Sequence, residues 1–183
     1  MQYYYKIAVF LQKYSYTIYM YLKSILSGAA MLAVGVFLSG CGAKCVLRDS
    51  VQIKNAVWCY RDSANFKTEI TNPKQKYNIY LDITHDTDYP FENAYLSVIT
   101  QYPSGKRQKE QISLQLADKA GLWLGSKAWF GNTVSLHIPV QQNATFAESG
   151  KYSFTIAQNM RQDSAVGVHA IGVCIDESIV ATK

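Results

Sequence analysis

The chain has 183 residues, 49% hydrophobic and 17% charged, with a formal net charge of +5. That apolar content excludes a chain disordered by composition and allows one domain plus a targeting segment. Lys6, Lys13 and Lys23 stand in the first 40 positions beside no acid, and "GKRQK" at 105–109 is the one dense basic cluster elsewhere; it reads as a solvated hairpin tip, so a nucleic-acid partner is excluded.

In chain order, the first element is an export signal. Residues 24–37, "SILSGAAMLAVGVF", are uncharged and follow Lys23. As a helix they would reach only about 21 Å, short of the roughly 30 Å hydrocarbon core. A basic flank, a short apolar run and small residues at its end mark a signal peptide. Here the end is Leu38-Ser39-Gly40-Cys41, which resembles the lipobox of bacterial lipoproteins. In that motif the cysteine thiol receives a diacylglycerol and the chain is cut just before it. The competing reading is an ordinary signal or signal anchor with an incidental cysteine. Residues 1–19 are tyrosine-rich, and Met20 opens a compact lipoprotein signal by itself, so Met20 is the expected start. The expected division is a signal at 1–40, a lipid-anchored tether at 41–50 and a folded domain at 51–183. Two or three acyl chains (palmitate and its like) on Cys41 make the membrane a stable partner.

With Cys41 acylated, Cys45, Cys59 and Cys174 remain. An exported compartment permits disulfides. Cys59 falls in an early strand and Cys174 in the last, which makes a Cys59–Cys174 bridge a candidate; two buried free thiols are the alternative. No Cys-x-x-Cys pair or nearby histidine spacing suggests zinc, and no metal or cofactor is expected.

The rest reads as strands by alternation. "FKTEI" (66–70), "YNIYLDIT" (77–84), "ISLQL" (112–116), "VSLHIPV" (134–140) and "YSFTI" (152–156) each place apolar residues on one face. "AYLSVITQY" (94–102) and "VGVHAIGVCI" (166–175) are partly apolar on both faces, as in a sheet's centre. Turn chemistry in "TNPKQK", "HDTDYPFEN", "PSGK" and "ESGK" separates them. Residues 116–125 could hold a turn of helix. About seven or eight short strands at this spacing predict an all-β antiparallel sandwich, immunoglobulin-like or jelly-roll-like.

Chemistry is sparse. His85, His137 and His169 share no short spacing, and no G-x-S-x-G elbow exists, so an enzyme is not expected and no catalytic residue is assigned. Asp86, Asp88 and Glu92 in "HDTDYPFEN" are oxygen ligands, but the turn-capping reading is preferred to calcium binding. "GLWLGSKAWFGN" (121–132) sets aromatics between glycines. Trp123 is read as a plug closing one end of the core, and Trp129 and Phe130 as surface contacts for a protein or a glycan. Arg161 in "AQNMRQDS" is a candidate contact, with a structural corner the preferred role.

"YNIYLDI", "DYPFENAYLSV", "YPSGK", "LADKAGLWLGS", "SGKYSFTIAQNMR" and "VGVHAIGVCI" follow in order over residues 77–175. With the lipobox, this series resembles the gliding-motility lipoprotein H family (GldH) of Bacteroidetes-type bacteria. The resemblance implies a non-enzymatic, lipid-anchored protein of the cell envelope. It also implies a part in gliding motility, beside a machine that secretes proteins and moves adhesins. Partners would be envelope or motility proteins; a carbohydrate-binding module using the aromatic loop is the alternative. The residues after Cys41, "GAKCVLRDS", lack the acidic run that resembles surface-export signals in these bacteria, so the domain is expected to face the periplasm. Asp49-Ser50-Val51, Asp62-Ser63-Ala64 and Asp163-Ser164-Ala165 resemble the O-glycosylation pattern of that phylum.

Overall fold

A computed structural model describes residues 43–178. The lipobox residues Leu38, Ser39, Gly40 and Cys41, and the start at Met20, lie outside the described residues. Eleven strands follow one another: β1 (Cys45–Gln52), β2 (Val57–Cys59), β3 (Ser63–Ile70), β4 (Tyr77–Asp86), β5 (Asn93–Gln101), β6 (Arg107–Gln115), β7 (Ser126–Lys127), β8 (Thr133–Ala144), β9 (Gly150–Gln158), β10 (Ser164–Val166) and β11 (Val168–Glu177). One sheet has the order β1-β11-β4-β8-β7, the other β3-β9-β5-β6, and β10-β2 is a separate ribbon. Every pairing is antiparallel.

Three of these strands are only two or three residues long. The other eight, numbered by themselves, have the order 1-8-3-6 in one sheet and 2-7-4-5 in the other. That order is a jelly roll, so the open choice of topology falls to the second of the two expected forms.

The alternation of each strand decides its buried face. Leu81 and Ile83 of β4, Ile171, Val173 and Ile175 of β11, and Val134 and Leu136 of β8 line one inner face. Phe66 and Ile70 of β3, Leu96 of β5 and Tyr152, Phe154 and Ile156 of β9 line the other, in one cluster. Each such side chain contributes about 1.5–3 kcal/mol when fully buried. Two of the buried tyrosines keep their hydroxyls paired: Tyr77 donates to the Asn72 carbonyl at 2.8 Å, and Tyr152 to that of Glu148 at 3.0 Å.

Four expectations need correction. The stretch read as tether is already folded from Cys45, because β1 pairs along β11 from Cys45↔Asp176 to Gln52↔Ala170. β6 begins at Arg107, well before the "ISLQL" alternation, because its charged first half is zipped to β5 from Gln101↔Arg107. Residues 116–125 hold no helix: the Asp118 carboxylate accepts from the amides of Ala120 (2.8 Å) and Leu122 (2.9 Å), closing a side-chain turn instead. The Cys59–Cys174 bridge is absent, and both thiols are free. Cys59 faces Ser164 in the ribbon, whereas Cys174 faces Arg48 and Tyr80 six positions into β11. That length of strand is about 20 Å, against the roughly 7 Å limit between Cα atoms of a disulfide.

Register also sorts the connections between two ends. Cys45, Glu177, Tyr77 and Ala144 lie at one end of the larger sheet; Gln52, Val168, Asp86 and Thr133 lie at the other. The ten residues of β4 set these ends about 30 Å apart.

Candidate functional site

The end of the domain far from Cys45 carries the unusual chemistry. Trp123 bridges Ala117, and its indole Nε1–H donates to the Thr87 carbonyl at 3.0 Å. Its ring stands edge-on to His85 with centroids 4.5 Å apart. His85 is completely buried. Its Nδ1 lies 2.7 Å from the Asp86 carbonyl, so that nitrogen carries the proton. Burial lowers the His85 pKa, chiefly by desolvation, and keeps the ring neutral. Tyr89 also packs on His85, at 5.3 Å, and on Phe91 at 5.6 Å. Burial pushes its phenol up to about 12. Thus "HDTDYPFEN" and Trp123 together plug this end. The Asp86 carboxylate is engaged by His169 Nε2 at 2.7 Å, a side-chain pairing between β4 and β11 and not a cap on the turn.

Trp129 and Phe130 have the opposite fate, at 92% and 88% exposed. Their loop is tight at the base. Ala128 N–H donates to the Thr133 carbonyl at 2.9 Å, and Thr87 N–H to that of Asn132 at 2.9 Å. Gly125 lets the chain lie against β8, since a Cβ there would stand 2.4 Å from the Ser135 carbonyl oxygen. Leu122 and Leu124, on either side of the half-buried Trp123, are 67% and 57% exposed.

Val57 and Val166 are exposed too, and they are cross-strand partners in the β2–β10 ribbon, with exposed Tyr60 following. The ribbon joins this end at Gly167, whose N–H donates to the Ala56 carbonyl and whose carbonyl accepts from Asp86 N–H. Sequence reading missed these residues, because each valine looks ordinary until pairing sets them side by side. Arg161 is exposed on the adjoining corner. Gln158 holds that corner instead: its side chain donates to the Gln162 and Asp163 carbonyls at 3.3 Å and accepts from Met160 N–H at 2.7 Å. His137 lies apart from this end, on the outer face of the larger sheet, stacked on Tyr80 at 4.2 Å and 2.5 Å from Asp82.

Comparison with known proteins matches residues 46–175 to the family described as GldH lipoprotein. A "Gliding motility lipoprotein GldH homolog" from Christiangramia forsetii is 26% identical over 150 residues, covering 78% of this chain and 90% of its own. "Gliding motility lipoprotein GldH" from Flavobacterium johnsoniae is 26% identical over 146 residues, covering 79% and 88%. Among solved structures, a carbohydrate-binding module specific for non-crystalline cellulose is similar with a TM-score of 0.39 and 8% identity, covering 73% of this chain and 74% of that one. The chain belongs to the GldH lipoprotein family.

Proposed function

We propose that the protein is a non-enzymatic, lipid-anchored component of the cell envelope, facing the periplasm, that works by presenting its aromatic end to another envelope protein. The names of its relatives support gliding motility as the process served. The observation that carries this reading is the exposure of Trp129 and Phe130, 92% and 88%, on a loop fastened at its base. Large aromatic side chains held rigidly in water are the usual centres of protein contacts. Geometry adds a direction. An acylated Cys41 would be four residues from Cys45, a reach of at most about 14 Å. The bilayer would then hold the end of the domain at Cys45 and leave the aromatic end directed away from lipid, toward a partner.

The test is crosslinking in intact cells followed by recovery of the full-length protein. Defined envelope proteins should be captured with the parent and lost with Trp129→Ala/Phe130→Ala, while Cys41→Ala should release the protein from the membrane. Undiminished capture by the double variant refutes the aromatic contact. A glycan-array signal that Trp129→Ala abolishes, with no protein captured, would establish the carbohydrate-binding reading in its place.

A further inference from the structure

The outer face of the smaller sheet gathers basic and hydrogen-bonding side chains. The odd-numbered residues of its strands point outward, and the register sets them in rows: Lys67 beside Ser153, Ser153 beside Gln101, Gln101 beside Arg107. The next rows join Asn65 to Thr155, Thr155 to Ile99 and Ile99 to Lys109, and pair Glu69 with Lys151. Of the two central strands, β9 shows Ser153 and Thr155 and β5 shows Ile99 and Gln101, while the edge strands and Lys151 supply the charged side chains. The result is a trough with a basic rim and a floor mostly of hydroxyls and amides, interrupted by Ile99. At one end it deepens into a cavity of about 500 Å³ lined by Lys67, Glu69, Gln101, Lys151 and Ser153.

Charge and polarity together narrow the occupant. Lys67, Lys109, Lys151 and Arg107 face this surface against the single carboxylate of Glu69. None of the four cations is in an ion pair among the described residues. Unpaired cations over a shallow floor attract an anionic chain. The floor is unlike a protein-binding centre, which buries apolar and aromatic anchors. Among the outward residues of these strands, only Ile99, Ala157 and, toward the far end, Tyr95 are apolar or aromatic. A ligand here must be covered in hydrogen-bonding groups, extended across strands and negatively charged.

We propose that the outer face of β3, β9, β5 and β6 binds an extended uronate-bearing polysaccharide, with carboxylates on Lys67, Lys151, Lys109 and Arg107 and hydroxyls on the serine, threonine and amide floor. This site is separate from the aromatic end and does not depend on its role. The test uses the full-length lipoprotein in detergent micelles and fluorescent oligogalacturonate, read by anisotropy. Saturable binding that weakens as salt rises is expected. Lys67→Ala/Lys151→Ala should weaken it about tenfold, and Trp129→Ala should leave it unchanged. The proposal is overturned by no binding, by binding indifferent to the two lysines, by equal binding of neutral xylo-oligosaccharide, or by equal binding of polyglutamate, which would mark an acidic-peptide surface.

Discussion

Trp123 and Trp129 lie six positions apart in one glycine-bounded loop, and the structure assigns them opposite energetics. Trp123→Ala removes a ring packed at 4.5 Å on His85 and a hydrogen bond of 3.0 Å to the Thr87 carbonyl. Replacing a buried tryptophan by alanine costs about 3–5 kcal/mol. Trp123 retains some exposure, so the packing loss is set at about 2–3 kcal/mol, and the hydrogen bond adds about 1 kcal/mol. For a domain of this size each kcal/mol lowers Tm by about 3–4 °C, so Tm should fall by about 10–15 °C. Trp129→Ala removes a side chain 92% exposed and should stay within about 0.5 kcal/mol of the parent, or about 2 °C. Trp123→Phe keeps a ring but loses the N–H donor, and should fall between them. The assay is thermal unfolding of the detergent-solubilised protein followed by circular dichroism. Equal losses for Trp123→Ala and Trp129→Ala, or no loss for Trp123→Ala, would refute the division into plug and display.

Three further outcomes follow from other parts of the fold. Burial depresses the His85 pKa below its unfolded value of about 6.5, so its neutral form stabilises the fold fully above that pH. Stability should drop as pH falls from about 6.5 toward the depressed value, by up to about 1.4 kcal/mol per pH unit, and His85→Phe should flatten that slope in urea titrations at pH 7 and 5. Gly125→Ala forces a Cβ to within 2.4 Å of the Ser135 carbonyl oxygen and should cost about 1–3 kcal/mol; a variant with the parent's Tm contradicts the close approach. Under native iodoacetamide labelling read by mass spectrometry, exposed Cys45 should react readily. Buried Cys174, whose pKa is raised chiefly by desolvation, should react only after unfolding. Cys59 and Cys174 still both blocked after unfolding without reductant would reinstate their bridge.

What the sequence disclosed depended on where each strand sits in its sheet. β4, β8 and β9 carry clear alternation because each has one face in the core. β1 and the first half of β6 escaped, and both are edge strands. "CVLRDSVQ" and "RQKEQ" place polar or charged residues on both parities, which blunts an open edge against unwanted pairing and erases the period. The ribbon strands β2 and β10 are too short to show a period at all. In the site, the contrast between Trp123 and Trp129 was readable from aromatics set among glycines. The Val57–Val166 pair and the basic trough were not, since each exists only through register between strands distant in sequence.

The jelly-roll path explains why the aromatic motifs converge. Antiparallel strands send successive connections to alternate ends, and a chain entering with β1 leaves four connections at the end far from Cys45: residues 53–62, 87–92, 116–132 and 159–167. The three at the near end, 71–76, 102–106 and 145–149, are short turns. Every exposed large hydrophobic in those connections and the ribbon strands they contain, Val57, Tyr60, Leu122, Leu124, Trp129, Phe130 and Val166, belongs to the far set. Near-end aromatics turn inward instead, as Phe146 does against Tyr77 at 5.2 Å and Tyr152 at 4.9 Å. A surface needed only for solubility has no reason to divide its apolar residues this way, because scattered ones would serve as well. The asymmetry is what the proposed contact at the aromatic end predicts. The proposed anchor at Cys41 would fit the same division, because about 30 Å of sheet separates the far loops from Cys45.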